Sequence, residues 1–290
     1  RYKSMRGFRT PYVPGWDCHG LPIEHKVMKE LQAKKQSLDA LGVRKACAEF
    51  SAAYIEKQRG QFKRLGILAD WQSEYRTMDP AYEAEILAGF ACFVEQGLVY
   101  RSKKPVYWSI PCQTALAEAE IEYKDKRSHS VWVAFPVADP AAKQLAPAHP
   151  LSVVIWTTTP WTLPANQAVS VNAQLQYDLI LTSRGLLILA HDLAQATLSR
   201  YGELETQVLG HCLGADLVGL SLQHPFDNRQ VPVIAGDHVT TEAGTGLVHT
   251  AAAHGNDDWL VMRANFPNEK PRVLMGGDGR FFNSDLVELE

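Results

Sequence analysis

Leu151-Ser152-Val153-Val154-Ile155-Trp156-Thr157-Thr158-Thr159-Pro160-Trp161-Thr162-Leu163-Pro164-Ala165-Asn166 is the stretch from which the rest of the chain is best read. Its first five residues form a β-branched run that predicts a buried strand. The eleven residues after it hold four threonines, two tryptophans and two prolines. Each proline fixes φ and removes a backbone donor, so the strand runs into a rigid turn lined with hydroxyls. Taken alone, the turn reads as a polar strand end closed by prolines, because threonine is common in strands anyway.

Around this stretch, short strands are expected at 131–135, 152–156, 177–181, 186–190, 231–234 and 272–275. Ser183-Arg184-Gly185 reads as a hairpin turn, 192–200 as a short helix, and 138–150, with three prolines, as a loop. Upstream the pattern is helical. Pro22 and Glu24 mark a helix entry, a second helix is expected over 43–65, and Asp79-Pro80 opens a third. Ile86, Leu87, Phe90, Phe93 and Val94 give that third helix an apolar face before Gly97 ends it. Residues 98–100 and 105–108 read as extended runs. Glu118, Glu120 and Glu122 are placed on one solvated face of a strand by their spacing of two. The change from helices to strands falls near Lys124-Asp125-Lys126-Arg127-Ser128. The pattern is an α/β chain with a small β-rich domain inserted in an α/β scaffold.

A length of 290 residues supports two domains. The net charge of −3 excludes a uniformly basic nucleic-acid binder, although Lys57, Arg59, Lys63 and Arg64, or Arg101, Lys103 and Lys104, could form local phosphate patches. Cys18, Cys47, Cys92, Cys112 and Cys212 form no C-x-x-C pair, so reduced thiols in a cytosolic protein are expected. No apolar run is long enough to span a bilayer. The first residue is not methionine, and the expectation is a piece of a longer chain.

A second constellation runs Gly244-Thr245-Gly246-Leu247-Val248-His249-Thr250-Ala251-Ala252-Ala253-His254-Gly255-Asn256-Asp257-Asp258-Trp259. His249 ends a strand-like run, and Asn256 is placed to cap a helix with Asp257 and Asp258 in its first turn, where carboxylates favour the positive helix end. His249 and His254, five apart with no fixed carboxylate, do not make the H-E-x-x-H pattern of a zinc site.

Pro14-Gly15-Trp16-Asp17-Cys18-His19-Gly20-Leu21-Pro22-Ile23-Glu24 resembles the signature of isoleucyl-tRNA synthetases, within the class I aminoacyl-tRNA synthetases. Segments 104–123, 156–166 and 244–258 resemble further blocks of that family in the usual order. The resemblance implies that 1–127 is part of the N-terminal half of a Rossmann-type aminoacylation domain. It also implies that 128–290 is most of an inserted, β-barrel-like editing domain of α+β type, truncated at its C-terminal end. The intact enzyme would charge tRNA-Ile with isoleucine using ATP and Mg2+. The H-I-G-H and K-M-S-K-S motifs of that reaction are not in these 290 residues, so the fragment alone is not expected to ligate.

By the same resemblance, Asp17 binds the ammonium group of isoleucine in the synthetic site. Asp258 anchors the ammonium group of a mischarged valine in the editing site. Thr157, Thr158 and Thr159 line that pocket, Asn166 supports its wall, and His249 blocks the larger isoleucine side chain. One methylene is worth only about 1–3 kcal/mol, a limit for which the isoleucine–valine pair is the usual illustration, so a second site must hydrolyse valyl-tRNA-Ile. Neither a metal nor another cofactor is needed for that step. The resemblance further implies a cytoplasmic enzyme, monomeric when intact and not bound to a membrane. A free-standing trans-editing hydrolase and a noncatalytic tRNA-binding paralogue are the alternatives. The chain departs from the family at Ala252-Ala253, where Pro-Gly is frequent, and at Trp259, where Tyr is common. Ser109 replaces the first cysteine of a C-x-x-C ending at Cys112, so the structural zinc of some members is not expected here.

Overall fold

The computed structural model describes residues 1–138, 149–200, 202 and 205–282. Most of the expected proline loop, 139–148, lies outside the described residues. The chain divides into two compact units, Arg1–Arg101 and Ser102–Glu290.

The first unit is helical. It holds helices α1 (Tyr2–Met5), α2 (Leu21–Ala33), α3 (Ala40–Arg64) and α4 (Pro80–Glu95) and one parallel pair, β1 (Gly15–Trp16) with β2 (Tyr75–Arg76). Its small core gathers Trp16, Cys18 and Ile55, with Trp71 and Met78 against them. Asp39 begins α3 by accepting a hydrogen bond from the Gly42 amide. Asp79 occupies the corresponding place on α4 but makes no side-chain cap bond, contrary to its expected role. Gly97, at φ +69°, closes α4 as expected, with the Leu98 amide bonded back to the Phe93 carbonyl. The apolar face of α4 is present but uncovered: Ile86, Leu87, Phe90, Phe93 and Val94 are 50–67% exposed.

The second unit holds two open sheets. The first orders as β10-β8-β9-β6-β5, from β5 (Val131–Pro136), β6 (Leu151–Thr157), β8 (Gln176–Thr182), β9 (Gly185–Ala190) and β10 (Gln207–Leu213). The second orders as β11-β12-β7-β13, from β7 (Ala168–Val171), β11 (Ser221–Gln223), β12 (Gln230–Ala235) and β13 (Leu247–Thr250). Only β6–β9 and β12–β7 pair in parallel within these sheets. A separate antiparallel pair joins β3 (Trp108–Ser109) to β4 (Thr114–Ala115).

Side chains alternate across β6, and this organises the layers. Val153 and Ile155 enter a core shared by both sheets, with Phe135, Val169, Val233 and Leu247. Val154 points the other way, onto Leu189 and onto Ala194 and Leu198 of helix α5 (His191–Arg200). Beyond a short helix α6 (Gly214–Leu217), helix α7 (Asn256–Asn265) lays Val261 and Met262 against Ala168 and Ile234 on the far side of the second sheet. The unit is thus layered helix, sheet, sheet, helix.

Several expectations are corrected. Among the described residues the two sheets stay open instead of forming a barrel: β5 meets β11 only through the isolated Val137–Leu222 bridge and the bond from the Ala138 amide to the Ser221 carbonyl, and the opposite edges, β10 and β13, do not pair. Glu118 and Glu120 lie in a 3-10 helix (Glu118–Glu120), not on a strand; helix-favouring Ala and Glu win there, and the Glu120 carboxylate accepts from the Ala117 amide at 2.8 Å. All three glutamates are exposed. Residues 272–275 form no strand beyond an isolated Met275–Phe281 bridge. There the Gln167 side chain holds the backbone, accepting from the Arg272 amide and donating to the Lys270 carbonyl. Residues 98–100 form no strand, and of 105–108 only Trp108 is in one. Gly255 takes the N-cap of α7, and Asn256 is its first helical residue. Strands β7, β10 and β11 were not anticipated.

Candidate functional site

In the second unit, the end of β6, the turn after it, β13 and the first turn of α7 converge on a cleft of about 380 Å³. Thr157, Thr158, Thr159, His249 and Asp258 all line it, together with Trp156, Trp161, Thr162, His238 and His254. Thr157 ends the buried strand, and its Oγ1 accepts from the Thr159 amide at 3.1 Å, which bends the chain at the first proline. Thr158 and Thr159 are exposed. A 3-10 turn, Pro160–Ala165, then leads to Asn166, which is fully buried behind the cleft.

His249 is held from both ring nitrogens. The Asn166 amide nitrogen meets the Ala168 carbonyl at 2.8 Å and His249 Nδ1 at 2.7 Å. Only an NH2 group can satisfy a carbonyl, so this contact orients the amide, and His249 Nδ1 must accept. The ring proton therefore sits on Nε2, which donates to Thr162 Oγ1 at 2.9 Å, and Thr162 passes its own proton to the Thr159 carbonyl at 2.8 Å. Burial, with His224 and His254 nearby, pushes His249 down from 6.5 to about 4. The wall is neutral at pH 7.

Asp258 enters from α7. Its Oδ2 accepts from the Ala251 amide at 2.9 Å, and Gly255 leaves room for the carboxylate. Burial pushes this carboxyl above its ordinary value, against the Ala251 bond and His238, while Asp257 adds to the rise. Trp161 stands edge-on to His254 at 5.4 Å on the cleft's rim. The floor depends on Gly246: at φ +74°, a Cβ there would lie 2.2 Å from Ala190 Cβ. Two buried nitrogens in the lining, Trp156 Nε1 and His238 Nε2, have no hydrogen-bond partner among the described residues. The arrangement suits a small ligand with a cationic group for Asp258 and polar atoms for the threonine hydroxyls.

Thr162, Trp156 and His238 were not assigned from sequence. Thr162 belongs to the same hydroxyl run, and its spacing of three from Thr159 was the available signal. Nothing in Gly236-Asp237-His238 marks the histidine.

The first unit has a wider cleft, about 780 Å³, lined by Cys18, His19, Glu24, Cys47 and Glu83 among others. His19 Nε2 lies 3.2 Å from the Thr77 carbonyl and 3.5 Å from Glu83. Burial, then Glu24, pushes the Cys47 thiol up. Asp17 is exposed beside this cleft rather than in its lining, and its Oδ1 accepts from the His19 amide at 3.3 Å. Among the described residues, no group of three or more His, Cys, Asp or Glu could hold a metal ion, and no helix is long and apolar enough to cross a membrane.

The chain is 48% identical over 289 residues to the isoleucine–tRNA ligase of Thiobacillus denitrificans, covering 97% of this chain and 30% of that protein. It is 49% identical over 292 residues to that of Dechloromonas aromatica, covering 98% and 31%. The chain thus spans under a third of the length of these curated relatives. Among solved structures, the P. knowlesi cytosolic leucyl-tRNA synthetase editing domain aligns over 54% of this chain and 75% of its own, with TM-score 0.45 and 11% identity. The family model described as tRNA synthetases class I (I, L, M and V) matches residues 1–262, and the chain belongs to that family.

Proposed function

We propose that the Asp258 cleft is the proofreading site of an isoleucine–tRNA ligase, where valine esterified to tRNA-Ile is hydrolysed. The observation that carries this reading is the meeting, in one cleft, of a half-buried carboxylate with a hydroxyl wall braced by a neutral histidine. An aminoacyl ester is already activated, so hydrolysis needs a positioned water, donors for the developing oxyanion and an anchor for the α-ammonium group. Asp258 supplies the anchor when ionised. The hydroxyls of Thr157, Thr158 and Thr159 hold the water or the ester oxygens. His249, immobilised by Asn166 and Thr162, is the hard wall that limits side-chain size, and valine passes where isoleucine does not. The Ala251 amide that holds Asp258 shows that the loop before it grips the carboxylate despite Ala252-Ala253 in place of Pro-Gly.

The same reading assigns 1–127 to a Rossmann-type aminoacylation domain and 128–290 to the inserted editing domain. In it, Asp17 meets the ammonium group of free isoleucine. ATP and Mg2+ activate that isoleucine in the full-length cytoplasmic, monomeric ligase.

The test is deacylation of valyl-tRNA-Ile by the wild-type chain and by Asp258→Ala. The wild type should release valine, and the variant should lose the activity. A variant that deacylates at the wild-type rate would remove Asp258 from the site.

A further inference from the structure

The threonine-bearing turn ends at Asn166, whose amide donates to the Leu163 carbonyl at 2.9 Å, and the carbonyls at this end of a 3-10 turn need partners from outside it. One loop, residues 224–229 between β11 and β12, donates to three carbonyls there. His224 Nε2 donates to the Leu163 carbonyl at 3.0 Å. The Arg229 guanidinium donates through Nη2 to the Pro164 carbonyl at 3.0 Å and through Nη1 to the Asn166 carbonyl at 2.7 Å. Arg229 is itself braced. Its Nε donates to Asp227 Oδ2 at 2.6 Å, and its backbone amide to Asp227 Oδ1 at 3.0 Å. Partial burial pushes the Asp227 carboxyl up, but the Arg229 hydrogen bonds and neighbouring positive charge bring it below its ordinary value. A planar guanidinium can bond a carboxylate and two carbonyls at once, and a lysine ammonium on a flexible stem cannot hold that geometry.

Asn166 is the link. Its carbonyl is gripped by Arg229, and its side chain is the one that meets His249 Nδ1. We propose that Arg229, braced by Asp227, is a positioning residue for the cleft. By clamping the Pro164 and Asn166 carbonyls it sets the Asn166 amide against His249 and so keeps the imidazole in the Nε2–H form that donates to Thr162. The geometric part stands by itself, and the effect on hydrolysis rests on the proofreading reading.

The experiment uses the full 290-residue chain as wild type, Arg229→Lys and Asp227→Asn. Long-range 1H–15N NMR reports which ring nitrogen of His249 is protonated, the signal being assigned by its loss in His249→Gln. The wild type should carry the proton on Nε2 alone. Both variants should give mixed tautomers, with kcat for valyl-tRNA-Ile deacylation reduced about tenfold or more and KM unchanged. A wild-type ring protonated on Nδ1 overturns the proposal, and so does an Arg229→Lys ring spectrum identical to the wild type's. Mixed tautomers in the variants of a chain whose wild type does not deacylate uphold the clamp and defeat the proofreading reading. If Arg229→Lys does not fold, Asp227→Asn keeps the loop's size and an acceptor for Arg229, and the same readouts decide.

Discussion

Acid should weaken the second unit through His249 in a window that the structure defines. The ring is buried, its Nδ1 faces the Asn166 NH2 group, and its pKa lies near 4 instead of 6.5. Between those values the unfolded chain binds a proton at this side chain and the folded chain does not. Stability therefore rises with pH across the window and is lost as pH falls from 6.5 towards 4. At about 1.4 kcal/mol per pKa unit, the loss attributable to His249 reaches about 3 kcal/mol near pH 4. Protonation would also point a new N–H at an amide that is itself a donor, so no existing bond offsets the charge. Urea unfolding followed by tryptophan fluorescence at pH 7, 6, 5 and 4 should be run on the wild type and on His249→Gln. The variant is expected to start less stable and to follow a flatter profile, the two curves approaching each other by about 3 kcal/mol. His224 and His254 are present in both chains, so the difference between the profiles isolates His249 together with its coupling to them. Parallel profiles would mean that His249 does not titrate abnormally, and the neutral wall would have to be abandoned.

Two further predictions concern packing and the hydrogen-bond relay. Thr162→Val leaves the buried His249 Nε2–H without its acceptor and should cost about 1–3 kcal/mol in the same unfolding measurement; a stability equal to wild type would show that the relay is dispensable. Ile155→Ala, emptying a fully buried position on β6 between the sheets, should cost about 2–5 kcal/mol, and a loss under about 1 kcal/mol would contradict the layered core.

What sequence made legible was what is local. Val153, Val154 and Ile155 read as a strand because β-branched residues buried on both faces leave a continuous apolar run, and the clustered threonines stood out against it. Strand β7 did not: Ala168-Val169-Ser170-Val171 is only four residues and follows the turn directly, and its two neighbours, β12 and β13, come much later in the chain. Strand β10 escaped because its mostly exposed residues show no clean alternation. The same limit applies to the site. Thr157 to Thr159 and Asp258 are named through the family resemblance of their segments. The bond from Thr162 to His249 spans 87 residues, and the Arg229 contact with Asn166 spans 63, so neither leaves a local mark. Closure into a barrel was a matter of which edges meet, and hydrophobic pattern does not encode that.

The contacts that brace His249 also set when the cleft can exist. Asn166 must wait for a partner 83 residues further along, and at roughly 5–20 residues per second of synthesis that interval is about 4–17 seconds. For most of it, until β12 is made, β7 has neither of its sheet neighbours, so a strand destined to be completely buried is solvent-facing with unpaired edges on a nascent chain. The cleft is thus one of the last things this unit makes: slow, long-range closure precedes any competence to bind, and conditions that shorten the wait or shelter β7 should raise the yield of active protein more than they raise its final stability.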